Sequence, residues 1–281
     1  MHPRRRLIRP IVVLASALLT GMFLGCGNSP APAPKYIDVT GNWQFTLKIT
    51  APTPPALPSN PILVLSGSLS SSGSAVSGTL RAQSLSISPC VGRTANLAFT
   101  GTLDTAANLT LTAPISGGVA TLSLNVGPSL LPIRSGTYQV VGGPCAQTSI
   151  AIFAYQVPNI TATFTGTLTE VLPPPTGTAP TVDVTAALVQ AATPNSDGQY
   201  PLSGTVAFTG ACTSTLAFSQ GVIYGSELQS YPSDQLLPPT SASFQGVASP
   251  GGVGLPQTIQ AFLTRPPDCG ITFFNGSLTR Q

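Results

Sequence analysis

Asn42-Trp43-Gln44-Phe45-Thr46-Leu47-Lys48-Ile49 decides how this chain is read. Trp43, Phe45, Leu47 and Ile49 alternate with Asn42, Gln44, Thr46 and Lys48, the two-residue period of a strand that buries one face and wets the other. A helix would scatter the four large side chains around its circumference. The same habit recurs downstream: Ala120, Leu122, Leu124 and Val126 alternate with Thr121, Ser123 and Asn125; Ile160, Ala162 and Phe164 with Thr161, Thr163 and Thr165; Val182, Val184, Ala186 and Leu188 with Thr181, Asp183 and Thr185. Shorter runs of this kind surround Leu97, Leu109, Val140, Ile152, Phe208, Phe218, Ile259 and Phe273. Helical spacing is not sustained anywhere beyond the N-terminal leader, and Ser226 to Leu237 is the stretch with room for a helical turn or two. Many short one-sided strands separated by Gly, Pro and Asn predict an all-β protein of antiparallel sheets closed as barrels or sandwiches.

A second regularity is superimposed on the first. Ser, Thr or Asn, then Gly, then Ser or Thr, then an apolar or aromatic residue occurs around Gly67, Gly78, Gly101, Gly136, Gly166, Gly204 and Gly276. Glycine inside strand-like sequence marks a bulge or a tight bend, and its repetition predicts strongly coiled sheets.

The chain also repeats on a larger scale. Cys90 and Cys145 lie 55 residues apart and Cys212 and Cys269 lie 57 apart. Each first cysteine follows a Gly-Ser/Thr strand, and each second one sits in a turn-like context, Gly143-Pro144-Cys145 and Pro267-Asp268-Cys269-Gly270. Two diverged copies are expected, a first β domain over 36–172 and a second over 181–281, hinged by the Pro-rich stretch 173–180. Four cysteines pair in three ways. The duplicated spacing favours Cys90 with Cys145 and Cys212 with Cys269, each closing a loop worth about 4 kcal/mol in the chain-entropy account. They lack the close Cys-x-x-Cys pair of a zinc site, so no metal and no cofactor is expected.

Residues 1–25 read as a leader. Arg4, Arg5, Arg6 and Arg9 precede an apolar run from Ile11 to Leu24, too short to span a bilayer as a helix. The leader holds four of the eleven Lys and Arg and the sole histidine, His2. The chain beyond it carries seven bases against eight acids, so its charge is near −1 where the whole chain is +3. Its bases are scattered, and a nucleic-acid partner is set aside because phosphate recognition needs clustered cations. Without histidine, the usual base of Ser and Cys hydrolases and the commonest metal ligand are missing. Gly-x-Ser-x-Gly and Ser-x-x-Lys are absent too. Two carboxylates alone can hydrolyse a glycoside, and Glu227 with Asp234, in one Tyr-containing loop, is the pair that such chemistry would use. The remaining acids fall mostly in turns, where Asp supports local backbone.

Phe23-Leu24-Gly25-Cys26 resembles the lipobox of bacterial lipoproteins. The resemblance implies removal of the leader, acylation of Cys26 and anchoring to a membrane through the N-terminal lipid. Gly27 after the cysteine, in place of Asp, then implies the outer membrane of the cell envelope. Residues 26–35, with Pro and Ala alternating, would form an extended tether. Arg4-Arg5-Arg6-Leu7-Ile8-Arg9 also looks like a twin-arginine export signal, a route for folded protein that fits poorly with disulfides.

Thr40-Gly41-Asn42-Trp43 resembles the Gly-x-Trp opening of calycin barrels, the lipocalin and avidin group, and Arg134-Ser135-Gly136-Thr137-Tyr138 is similar to avidin strands. The resemblance implies a coiled barrel with Trp43 packed at its floor. The single Trp does not support an avidin-like ligand pocket. Taken together, the expectation is a lipid-anchored envelope protein acting as a non-catalytic binding or structural module, its partner a glycan, an apolar small molecule or an envelope protein. The alternatives are a carrier with an apolar barrel cavity and a carbohydrate-active enzyme.

Overall fold

The computed structural model describes residues 34–48, 62–84, 94–115, 118–128, 132–143, 146–171, 178–231, 242–251, 257–264 and 273–281. Among these the regular structure is entirely strand. The first eight are β1 (Gly41–Lys48), β2 (Ile62–Ser72), β3 (Ala75–Ser84), β4 (Thr94–Leu103), β5 (Asn108–Ile115), β6 (Gly118–Asn125), β7 (Arg134–Val141) and β8 (Gln147–Val157). The second eight are β9 (Ala162–Glu170), β10 (Thr181–Gln190), β11 (Tyr200–Gly210), β12 (Ser214–Tyr224), β13 (Glu227–Gln229), β14 (Ser243–Ala248), β15 (Thr258–Thr264) and β16 (Phe273–Arg280). Each strand pairs antiparallel with the next, β8 returns to β1, and β16 returns to β9. The result is two closed eight-stranded up-and-down barrels in tandem.

The alternation explains the interiors. In the first barrel Phe45, Leu47, Leu65, Leu80, Phe99, Leu111, Leu122 and Ile152 all point inward and are inaccessible or nearly so. Phe164, Leu168, Val182, Val206, Phe208, Phe244, Leu263, Phe274 and Leu278 do the same in the second. Eight strands enclose a space that side chains of this size fill. Trp43 belongs to the first core, where its indole Nε1 donates to the Val39 carbonyl at 2.8 Å and its ring stacks on Phe45.

The seven motif glycines share one environment. All face inward, and a Cβ at any of them would meet a backbone carbonyl oxygen of the adjacent strand. At Gly101 that oxygen is Thr110 O, 1.8 Å from the Cβ position, and at Gly78 it is Ser68 O at 2.1 Å. Neighbouring strands therefore cross more closely at these points than a side chain allows, which is how a sheet coils tightly enough to close. A register shift accompanies the glycine at Leu202/Gly204, whereas at Gly78 and Gly101 the ladder continues in register.

Two expectations need correction. The boundary between barrels falls at 158–161, not at 173–180, because β9 pairs with β10 and β16 and so belongs to the second barrel. The expected first domain, 36–172, overran by one strand. Proline cannot donate to a ladder, so a Pro-rich stretch signals a break between strands; residues 172–177 lie outside the described residues, and the strands on either side, β9 and β10, pair with each other. Ser226 to Leu237 begins with a tight turn into β13 rather than a helix.

Candidate functional site

The outer face of β1 was expected to meet water, yet Asn42 is 3% exposed and Gln44 9%. The second barrel covers them. Its β12–β13 hairpin turns through Gly225 and Ser226, with Gly225 at φ +53°, and inserts against β1 and β2. The Asn42 carboxamide donates from Nδ2 to Gly225 O at 2.7 Å and accepts at Oδ1 from Gly225 N, also at 2.7 Å. One side chain thus reproduces both bonds of a strand pairing. Gln44 Oε1 accepts from the Ser226 backbone N and from Ser226 Oγ, each at 2.8 Å, and more weakly from Ser66 Oγ at 3.4 Å. Buried donors and acceptors stay favourable only when paired, and these are.

A partly buried cluster borders the turn. Arg81 of β3 lies over the Tyr224 ring, its guanidinium carbon 5.2 Å from the ring centroid. Gln83 Nε2 donates to Tyr224 Oη at 3.0 Å and to Glu227 Oε2 at 3.1 Å, while Gln229 Nε2 donates to Tyr224 Oη at 2.9 Å. Burial first, and then the neighbouring Glu227 charge, push the Tyr224 phenol up from its ordinary range. It therefore stays protonated at neutral pH.

The β10–β11 connection makes a second dock. Asn195 orders it by accepting from Asp197 N and Gln199 N, and Asn96 Nδ2 of β4 donates to Asp197 Oδ1 at 2.9 Å. Gly198 (φ +76°) comes so close to the first barrel that a Cβ there would lie 2.2 Å from Thr79 O.

The short connection between barrels is also fixed. Gln190 Oε1 accepts from Ile160 N, Gln257 Nε2 donates to Pro158 O, and the Arg280 guanidinium donates to Asn159 O, Thr161 O and Gln257 Oε1. Ile160 itself is buried in the second core.

Of the residues that the sequence singles out, Cys26, Cys90, Cys145, Cys269 and Asp234 lie outside the described residues. Cys212, half-buried against the second core, is not a free thiol. Glu227 is in the seam, held by Gln83. Asp104 accepts both the backbone and the side-chain amide of Asn108 across the β4–β5 turn, which lowers its pKa. Asp38 is lowered by hydrogen bonds from Thr40 and then Ser71. No group of three or more metal-ligating side chains occurs among the described residues.

Sequence reasoning missed Asn42, Gln44, Arg81, Gln83 and Tyr224. The one trace in the sequence is that β1 alternates its apolar residues with amides where later strands use Thr and Ser. Fold and seam together define a tandem of closed β-barrels joined by a buried polar interface. No protein-family model, curated protein or solved structure matches the chain.

Proposed function

We propose that the protein is a lipid-anchored component of the cell envelope whose two barrels act as one non-catalytic binding or structural module. The observation that carries the module reading is the seam. A hairpin of one barrel is bonded through buried side chains to the outer face of the other, so the pair offers continuous outer surfaces rather than two swinging beads. Filled interiors favour this over a carrier with an apolar cavity, since large side chains occupy the space a passenger would need. The engagement of Glu227 by Gln83 likewise favours a place in the interface over an acid poised for glycoside hydrolysis.

Anchoring rests on Phe23-Leu24-Gly25-Cys26 and on the odd cysteine left when four pair off, and outer-membrane placement on Gly27. Pairing of Cys90 with Cys145 and of Cys212 with Cys269 is supported by chain order. In each barrel the first cysteine falls between the third and fourth strands and the second between the seventh and eighth. Cys212 is engaged in keeping with such a bond. The test of the anchor is Cys26→Ala in the full chain. The wild type should fractionate with membranes and show the mass of an acylated N-terminus, and the variant should be released without it. Equal membrane association and equal mass would overturn the reading.

A further inference from the structure

Four large apolar side chains stand outward in one diagonal stripe across the second barrel. Val247, Phe262 and Phe273, on β14, β15 and β16, and Val171, just past the end of β9, are 45%, 42%, 43% and 45% exposed. Their adjacency follows from the register. Gln245 pairs with Phe262 and Val247 with Gln260, so Val247 and Phe262 are diagonal neighbours. Phe262 pairs with Asn275 and Thr264 with Phe273, so the two phenylalanines are diagonal neighbours as well. Val171 N donates to Phe273 O at 3.0 Å, which sets those two side by side. Diagonal pairs on one sheet face come within reach of aromatic side chains. An apolar strip rimmed by polar groups is a candidate binding surface.

The rim indicates what binds. Gln245, Gln260, Thr264 and Asn275 flank the phenylalanines on the same face; a carboxamide carries two donors and an acceptor in a plane, and that of Gln245 already donates from Nε2 to Tyr231 Oη. Among the described outward residues flanking the stripe only Glu227, opposite Val247, is charged, and its Oε2 already accepts from Gln83. A charged polymer finds no counter-charge here, and a bilayer would have to strip water from the carboxamides without return. A sugar chain matches both features. The C–H faces of its rings stack on Phe262 and Phe273 while its hydroxyls exchange hydrogen bonds with planar amides. Diagonal neighbours on one sheet face stand about 7–8 Å apart, so a chain laid along the stripe would meet its apolar side chains at intervals longer than one strand spacing.

We infer that the outer face of β14, β15 and β16 is a binding track for an extended, neutral polysaccharide. This gives the proposed binding module its ligand class and rests on that reading, but not on the lipid anchor. The protein, with and without Phe262→Ala or Phe273→Ala, is run in native affinity gels containing glucomannan, xyloglucan or hydroxyethylcellulose, and titrated with cellohexaose. The expected result is retardation of the wild type by at least one of these polymers and about tenfold weaker binding on loss of either ring. Thermal midpoints should be unchanged, because the substituted side chains are outside the cores. Absence of retardation in every gel, or equal retardation of wild type and both Phe variants, overturns the inference. Flotation with neutral phosphatidylcholine vesicles or concentration-dependent dimerisation, abolished by Phe262→Ala and without retardation in any gel, would assign the stripe to a membrane or to a second copy and also overturn it. Retention of Cys26 anchoring alongside such a failure would leave the envelope reading standing, so the two fail separately.

Discussion

Asn42 shows how much can rest on one carboxamide. It sits on the outward side of a strand whose inward side is Trp43 and Phe45, and it satisfies both backbone groups of Gly225. Asn42→Ala removes the partner of a donor and an acceptor that remain buried, a loss of about 1–3 kcal/mol. The expected outcome in urea titration is a lower midpoint together with loosening of the barrels, read as new protease cleavage in the β12–β13 region. A midpoint equal to wild type would mean that the turn is not held by this side chain. Gly225→Ala attacks the same contact from the other side. Its methyl group would lie 2.5 Å from Gln44 Oε1 at a backbone angle that L residues rarely adopt.

Among the elements, the glycine-bearing strands carry the clearest prediction. Gly101 lies in β4 between inward-facing Phe99 and Leu103, and the Thr110 carbonyl occupies the place where its side chain would be. Gly101→Ala should force β4 and β5 apart and cost more than the roughly 1 kcal/mol by which Ala in place of Gly ordinarily helps an extended segment. Circular dichroism melts and soluble yield test this, and a variant that melts with wild type would remove close strand approach as the reason for the motif. The sequence allowed this much to be read because the strand period and the glycine motif are both local. It misled at 173–180, where proline marks a break in pairing without saying whether the break separates two strands or two barrels. The outward amides of β1 looked solvated for a related reason. Alternation reports that a face is polar, whereas what covers that face is decided by a hairpin more than 180 residues away in the chain. The stripe on β14, β15 and β16 was equally hidden, since its four members come from separate strands and meet only through register.

For the molecule as a whole, burial of phenols sets an alkaline limit. Tyr138 is pushed up to about 12 by burial, and Tyr224, Tyr200 and Tyr231 are raised chiefly by the same cause. In an unfolded chain a phenol ionises near pH 10. The stability gained by keeping these groups neutral is therefore complete below about pH 10 and is lost as pH rises from there toward about 12. Thermal midpoints measured from about pH 8 to about pH 11.5 should hold steady and then fall. Phenolate absorbance should grow in two stages, the second coinciding with unfolding. A midpoint that stays level through the upper range would contradict the burial of these rings.

The next-neighbour pairing of both barrels also orders events in time. The first barrel holds every strand it needs once the chain has emerged as far as Val157, because β8 returns to β1. The second stays an open sheet until β16 arrives to join β9, and β16 also brings Arg280, which fastens the connection between the barrels. A chain leaving a ribosome or threading a pore would thus complete one domain early, and would trail seven strands with an unsealed edge until the eighth was delivered. That interval, rather than the finished molecule, is when the protein is most open to pairing with the wrong neighbour.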